Sequence, residues 1–317
     1  MINSDAEPGN WAEPYRRELL AHCYRMLGSV ADAEDLVQET LLRAWRSQDQ
    51  FRGDASERTW LYRIATNVCL TALEHRSRRV LPSGLGGPGD DPRSVPAARP
   101  DLPWLEPIPD VLVNDPATIV AERDSLRLAL ITCLQQLPPR QRAAFLLREV
   151  LSWSAAEIGE ALGLSTAAVK SLLQRARARL DQLRSAGEQP TGPVQPERRE
   201  LLDHYIAAFE NADVGALEAV LRRDVSIEMT PSTTWFAGFG TCLPFFAEQV
   251  LTKPGEYRMF ASSANGQPAG VTYRRDADGR FQPFGVAVLT TTPTGISRIV
   301  AFCEARLVQR FVDVPPL

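Results

Sequence analysis

The stretch SAAEIGEALGLSTAAVKSLLQRARARL, residues 154–180, decides the fold of the central part of this chain. Its first nine residues have helical composition, Gly163 permits a sharp turn, and Ser165 is a good N-cap for a second helix through Leu180. The small Gly159 stands where the two helices would approach most closely. The apolar positions expected to point inward are Ile158, Leu162, Leu164, Val169 and Leu172. This spacing predicts a helix-turn-helix.

The second helix of this motif leaves a polar and basic face outward. Short polar side chains on such a face can reach base edges, and cations can meet phosphates. The predicted DNA-binding residues of the helix-turn-helix are Thr166, Ala167, Lys170, Ser171, Gln174 and Arg175. An amphipathic surface helix with the same charges is the alternative, and the complete register of the motif favours DNA binding.

Composition and charge describe a globular protein of several domains. The chain has 317 residues, 44% of them hydrophobic and 23% charged, and a formal net charge of −4. Bases nevertheless concentrate at residues 76–79 and 170–179 and acids at residues 32–39, so local charge still permits nucleic-acid binding. No apolar run is long enough to span a membrane. We therefore expect a cytoplasmic protein that has no membrane partner.

The five cysteines are widely spaced, without a C-x-x-C pair or a nearby histidine cluster. This pattern predicts neither a disulfide framework nor a metal site, and buried thiols explain it best. We expect no metal and no cofactor.

Two proline- and glycine-rich stretches divide the chain. Leu81 to Pro116 holds nine prolines and four glycines, and a second break reads GEQPTGPVQP. The predicted organisation is a helical domain over residues 11–80, a linker over 81–114, the helix-turn-helix domain over 115–186 and an α+β domain over 197–317.

The first domain is expected to contain three helices. Residues 15–27 have helical apolar spacing and Gly28 stands at the C-terminal cap; a second helix follows Ser29 and buries a stripe that includes Trp45. Ser56 is the expected N-cap of a third helix that continues to Arg79.

Two strings in this domain, DAEDLVQETLLRAWR (32–46) and FRGDASERTWLYRIATNVCLTAL (51–73), resemble region 2 of the sigma-70 family, specifically its extracytoplasmic-function (ECF) branch. The resemblance implies that Asp35, Gln38 and Glu39 contact the β′ clamp helices of core RNA polymerase. Exposed carboxylates suit a basic partner surface, and a solvated helix face is the alternative.

The second string resembles the part of region 2 that captures the unpaired strand of the minus-ten promoter element. Such capture needs a loop for a flipped base, an amide or ring to hold it, and cations for phosphates. The resemblance assigns this single-strand binding to Phe51, Arg52, Asp54, Trp60, Arg63, Asn67, Arg76, Arg78 and Arg79. Helix packing explains Trp60 equally well.

A third string, LQQLPPRQRAAFLLREVLSWSAAEIGEALGLS (134–165), resembles region 4 of the same branch, which reads the minus-thirty-five element and touches the β flap. Both regions on one chain imply an alternative sigma factor whose partners are core RNA polymerase and promoter DNA. A one-component helix-turn-helix regulator is the alternative, and it would have no use for the region 2 strings.

The linker carries apolar groups, Trp104, Leu105 and Ile108, that a free spacer would not need. We expect them to dock. The family resemblance suggests a site on the polymerase, and the chain's own C-terminal domain is the alternative.

The C-terminal domain is predicted to begin with helices near residues 201–209 and 217–221, followed by a curved antiparallel sheet. Strands are expected at 225–229, 270–273, 284–289 and 296–302. The opening phrase LLDHYIAAFENADVGALEAVL resembles SnoaL-like, ketosteroid-isomerase-like cone domains.

Such cones include isomerases and cyclases, whose chemistry needs a base and an acid or oxyanion donor in one pocket. The titratable candidates are His204, Asp224, Glu228 and Glu304, and nothing in the sequence brings them together. We therefore expect a regulatory domain that modulates polymerase engagement, not an enzyme. A candidate small-molecule pocket would be lined by Trp235, Phe236, Phe239 and Phe260.

Overall fold

The computed structural model describes residues 13–48, 51, 56–94, 97–113, 125–185 and 195–311. The chain divides into two compact units, each formed by two separate segments. The first unit comprises residues 1–79 and 112–188, and the second comprises residues 80–111 and 189–317. The proline-rich linker thus belongs to the same unit as the C-terminal domain.

The described part of the first unit is helical. Its helices are α1 (Arg16–Leu27), α2 (Val30–Arg46), α3 (Glu57–Leu73), α4 (Leu128–Gln135), α5 (Pro139–Glu149), α6 (Ala155–Leu162) and α7 (Thr166–Ser185). Another helical turn, Asp110–Val113, lies at the boundary between the units.

The helix ends follow from local chemistry. Gly28 has a φ of 72° and caps α1, donating its backbone N–H to the carbonyl of Tyr24. Ser29 and Ser56 accept backbone N–H groups at the starts of α2 and α3. The caps at Gly28 and Ser56 confirm the sequence predictions. The predicted extension of the third helix to Arg79 is wrong, because α3 ends at Leu73.

The helix-turn-helix forms as predicted. Ser154 and Glu157 close a capping box on α6, Gly163 ends it with a φ of 65°, and Ser165 accepts a hydrogen bond from the N–H of Ala168 at the start of α7. A Cβ on Gly159 would lie 2.6 Å from the carbonyl oxygen of Leu164, so only glycine permits this turn. Of the predicted inward positions, Leu164 and Leu172 are only half-buried, and Leu173, the residue after Leu172, is buried instead.

The second unit is an α+β fold around a six-stranded sheet with the order β2-β1-β6-β5-β4-β3. The strands are β1 (Leu221–Thr230), β2 (Trp235–Ala237), β3 (Tyr257–Ala264), β4 (Gln267–Arg275), β5 (Phe281–Thr292) and β6 (Gly295–Phe302). The sequence pattern missed β2 and β3. The expected antiparallel pairing is also wrong at one place, because β1 and β6 are parallel.

Both faces of this sheet are covered. The inner face packs against α8 (Gln195–Asn211), α9 (Val214–Val220) and α10 (Phe239–Phe245), which a π-helical segment, Phe246–Val250, extends. Ile227 and Ile299 face this core, so the next residues along their strands, Glu228 and Val300, face outward. The outer face contacts α11 (Ala305–Val308) and the 3-10 turn Pro82–Gly84 of the linker.

No helix among the described residues combines the length with the apolarity that a membrane span requires.

Candidate nucleic-acid and protein interfaces

An exposed stripe runs along α2. Asp35 and Gln38 are exposed and Glu39 is half-buried, with its carboxylate accepting a 2.6 Å bond from Nε of Arg43. One and two turns further on, Leu42 is 47% exposed and Trp45 is 49% exposed. The predicted burial of Trp45 is therefore wrong. Apolar groups flanked by carboxylates form a surface suited to a protein partner.

The described residues predicted to bind a single strand lie just before, on and after α3. Phe51 packs on Trp60 with ring centroids 5.0 Å apart, and Trp60 is half-buried. Arg63 and Asn67 lie one turn apart on α3, where the Asn67 amide donates to the carbonyl of Arg63 at 3.0 Å. Arg52 and Asp54 lie outside the described residues.

The three arginines after α3 already have partners. Arg76 lies 2.7 Å from the Asp32 carboxylate, which Arg79 also contacts, and Arg78 donates to the side chain of Gln136. Burial opposes ionisation of Asp32, but the hydrogen bonds and charges of Arg79 and Arg76 outweigh it, so the Asp32 pKa lies below its ordinary value. These cations hold the first turn of α2.

The predicted face of α7 is open in the structure. Thr166, Ala167, Lys170, Ser171, Gln174 and Arg175 are all exposed. The neighbouring Arg177 bonds the Glu149 carboxylate of α5 at 2.6 Å, which ties α7 to the helix before the motif. An exposed helix face with two cations and four small or polar side chains can enter a DNA groove.

The α3 face, in contrast, contacts α6 of the helix-turn-helix domain. Arg63 forms an ion pair with Glu160 at 2.7 Å, and the Asn67 amide lies 3.4 Å from the carbonyl oxygen of Ala161. The predicted minus-ten face and the helix-turn-helix domain thus meet within the first unit.

A buried polar cluster strengthens this contact between the two helical domains. Arg142 of α5 donates to the carbonyl of Met26 at the end of α1 and to the side chain of Gln135 at 2.8 Å. Gln135 in turn donates to the carbonyl of Arg25. Burial lowers the pKa of Arg142 to about 10, and the carbonyls around it compensate part of the lost hydration.

Two protein-family models match this chain. The family model for Sigma-70 region 2 matches residues 11–79, and the model for Sigma-70, region 4 matches residues 127–180. Over 303 residues the chain is 50% identical to the ECF RNA polymerase sigma factor SigG of Mycobacterium tuberculosis (strain ATCC 25618 / H37Rv), covering 94% of this chain and 82% of SigG.

The chain belongs to the ECF sigma factors. It is also 32% identical over 219 residues to SigJ of the same strain, covering 68% of this chain and 62% of SigJ. The crystal structure of Mycobacterium tuberculosis SigJ matches with a TM-score of 0.59 at 22% identity, covering 94% of this chain and 97% of that chain. The predicted fold class, two helical sigma domains followed by an α+β domain, is therefore confirmed.

In this sigma factor the catalytic candidates of the C-terminal domain have separate partners. Asp224 pairs with Arg222, Glu228 with Arg298, and Glu304 with Arg306. His204 is exposed on α8, as expected for a surface residue. Among the described residues no group of three or more His, Cys, Asp or Glu side chains could hold a metal ion.

The four aromatic residues of the candidate pocket do not share one site. Phe236 belongs to the inner core and Phe239 packs against it. Phe260 follows the inward-facing Met259 and meets Tyr273 edge to face at the other face of the sheet. The Trp235 indole donates to the carbonyl of Gly86 in the linker. The prediction that these four side chains line one pocket is wrong.

Two features of the interfaces escaped sequence reasoning. Leu42 was not assigned a role, although its spacing from Asp35 and Gln38 places it on the same helical stripe. Glu160 also had no assigned role, because only the packing of α3 against α6 brings it to Arg63. The first feature was readable from helical periodicity and the second was not.

Proposed function

We propose that this chain, which as an ECF sigma factor is an alternative sigma factor that directs transcription initiation, binds the β′ clamp of core RNA polymerase through α2. The contact residues are Asp35, Gln38 and Glu39 together with Leu42 and Trp45. Apolar side chains at the centre supply buried area, and the carboxylates around them steer a basic partner and set its orientation. The exposure of Leu42 and Trp45 supports this role.

We further propose two DNA-binding surfaces. Residues of α3 and the adjoining positions, Phe51, Arg52, Asp54, Trp60, Arg63, Asn67, Arg76, Arg78 and Arg79, capture the unpaired minus-ten strand. The exposed face of α7 enters the major groove of the minus-thirty-five element, while the same domain contacts the β flap. Two weak contacts on one polypeptide reinforce each other, because binding of one raises the local concentration of the other.

The described arrangement of the two helical domains is then a closed state. Two contacts support this interpretation. The Glu160 carboxylate pairs with Arg63, and the Ala161 carbonyl oxygen accepts a hydrogen bond from the Asn67 amide. A single strand needs these same groups for its phosphates and bases. Separation of the two domains is therefore a required step before promoter opening.

The C-terminal domain acts in this proposal as a regulator of polymerase engagement and not as an enzyme, in a cytoplasmic protein. Its support is that the four candidate catalytic groups lie apart, three of them bound to different arginines. An isomerase or cyclase is the second candidate function, and turnover of a ketosteroid or polyketide substrate by the purified chain would establish it.

The experiment that tests the polymerase proposal is a direct binding assay. Labelled full-length chain is titrated with bacterial core RNA polymerase, and the Asp35→Arg and Trp45→Ala variants are compared with wild type. We expect tight binding of wild type and at least tenfold weaker binding of both variants. Wild-type chain that does not bind core polymerase would instead favour the one-component regulator.

A further inference from the structure

The linker, residues 80–111, is built into the C-terminal unit as an additional layer. Although it is rich in proline, it buries apolar side chains: Leu105 and Ile108 are 0% exposed, and Leu81 and Trp104 are also buried. Most of the hydrophobic outer face of the sheet, including Val286, Val288, Val300 and Phe302, is likewise buried. A free spacer would leave both sets of side chains in water.

Backbone hydrogen bonds fix the linker at both edges of the sheet. Beside the edge strand β2, the N–H of Gly89 donates to the carbonyl of Trp235 at 2.7 Å. Beyond the opposite edge strand β3, Asn265 bonds Ile108 twice: its side chain accepts the N–H of Ile108 and its own N–H donates to the Ile108 carbonyl, both at 3.0 Å. This is how an extended peptide ligand is held on a sheet.

Two buried carboxylates add charge recognition. Glu228 of β1 accepts the N–H of Ser83 in the linker at 2.8 Å and is paired with Arg298. Glu106 of the linker is itself buried and pairs with Arg306 of α11 at 2.8 Å. The linker thus bonds a carboxylate of the sheet, Glu228, and α11 neutralises a carboxylate of the linker, Glu106. These two contacts fix the register of the linker on the sheet.

We propose that the outer face of the C-terminal sheet is a peptide-binding site whose ligand is the chain's own linker, an extended proline-rich segment with an acidic anchor at Glu106. The bound linker is held by hydrogen bonds, the ion pair between Glu106 and Arg306, and a few apolar side chains, with no covalent link among the described contacts. Proline restricts the free linker, so little conformational entropy is lost on docking. Such a contact can open and close.

Resting on the proposed sigma-factor function, this site limits how far the two helical domains can separate. A free linker of this length extends to roughly 105 Å. Docked, it spans β1 to β3, which are four strand spacings or about 19 Å apart. The two promoter elements lie about 25 base pairs, or roughly 85 Å, apart. Release of the linker from the sheet therefore lengthens the connection between the two helical domains by up to roughly 85 Å, which is comparable with the distance between the two elements.

Cleavage of the full chain tests the peptide-binding site without polymerase or DNA. A protease recognition sequence is inserted between Ser185 and Gln195, the chain is cut, and the fragments are separated by gel filtration at micromolar concentration. We expect the C-terminal fragment to stay with the fragment that carries the linker. Wild-type fragments that separate while each keeps its circular dichroism spectrum would overturn the proposal.

Matched variants identify the linker as the ligand. Leu105→Ser removes a fully buried leucine, Leu85→Ser changes a leucine of the same linker that is 44% exposed, and Glu106→Gln keeps side-chain size while removing charge. We expect at least tenfold weaker retention for Leu105→Ser, weaker retention for Glu106→Gln, and wild-type retention for Leu85→Ser. Equal retention of all three would reject the proposal. A failure of the polymerase assay leaves these results unaffected.

Discussion

His22 shows how a single residue in the first unit couples folding to pH. It lies on α1 and is buried against α3. Its Nε2 lies 3.0 Å from the hydroxyl of Thr66, and its ring meets Tyr62 edge to face. Because the Thr66 hydroxyl donates to the carbonyl of Tyr62, His22 must be the donor to Thr66. Burial, with a smaller contribution from the charge of Arg25, lowers the pKa of His22 to about 3.

The first unit should therefore become less stable as the pH decreases below about 6.5. The unfolded chain binds a proton at His22 near pH 6.5 and the folded chain does not, so stabilisation is complete above that pH and is lost as the pH falls towards 3. Between pH 7 and pH 5 we expect a loss of about 2 kcal/mol in the free energy of unfolding. Urea denaturation should show that His22→Gln removes most of this dependence.

The exposed His75 supplies the control for that measurement. His75→Gln should leave the pH dependence of unfolding as in wild type. An equal pH dependence in wild type and His22→Gln would show that His22 is not held neutral by burial.

The stripe on α2 makes a second prediction at the scale of residues. Leu42→Ala should weaken binding to core polymerase by about 1–2 kcal/mol, because truncation removes an apolar group at the centre of the interface. The side chain is 47% exposed in the free chain, so the melting temperature should hardly change. Leu85→Ala, with 44% exposure in the linker, is the matched control. Equal affinity of the two variants would exclude Leu42 from the interface.

At the scale of elements, Gly159 controls the helix-turn-helix. A methyl group there would press on the carbonyl oxygen of Leu164, only 2.6 Å away, and backbone atoms cannot yield as a flexible side chain does. We expect Gly159→Ala to destabilise the first unit by ~1–3 kcal/mol and to weaken binding to duplex DNA. Ala156→Ser, exposed on the same helix, should do neither. Calorimetry and a duplex-binding assay measure both effects, and a fully stable Gly159→Ala would contradict this account of the turn.

The elements also show what the sequence could predict. Caps at Gly28, Ser29 and Ser56 were predictable, because they depend on neighbours within four residues. Trp45 was assigned to the core because periodicity counts apolar residues and cannot distinguish a core from a partner surface. The parallel pairing of β1 with β6 depends on residues about seventy positions apart, so no local pattern contains it.

The same distinction holds for the sites. The exposure of the α7 face follows from helical spacing and is seen in the structure. The occupation of Arg63 and Asn67 by α6 and the docking of Trp104, Leu105 and Ile108 in the C-terminal unit require contacts between distant segments. For the linker the sequence left two docking sites open, and the described contacts are those with the C-terminal domain.

At the scale of the whole molecule, the closed state predicts the effect of one charge reversal. Glu160→Arg places a cation beside Arg63 and turns an attractive contact into repulsion. The pair is exposed and worth at most about 1 kcal/mol, so we expect a two- to fivefold gain in affinity for single-stranded oligonucleotides. Fluorescence anisotropy at fixed salt measures it. Glu218→Arg, at an exposed position of α9, carries the same charge change and should produce a smaller gain. Equal gains would indicate nonspecific charge alone.

Removal of the C-terminal domain tests its regulatory role. A chain ending after residue 190 lacks the sheet on which the linker docks, so the linker is free to extend. We expect promoter-directed transcription to rise several-fold at equal concentrations of sigma factor and core polymerase. Leu105→Ser in the full chain should move transcription in the same direction, with Leu85→Ser as its control. Unchanged transcription in the shortened chain would reject regulation by this domain.

In vitro transcription with core RNA polymerase on a pooled library of promoter fragments tests the central claim most directly. The purified chain should produce discrete transcript start sites that core enzyme alone does not produce, each preceded by two sequence elements about 25 base pairs apart, and Asn67→Ala should abolish most of them. If neither the full chain nor the chain ending after residue 190 yields any dependent start site, the assignment of α2, α3 and α7 to promoter-directed initiation is contradicted.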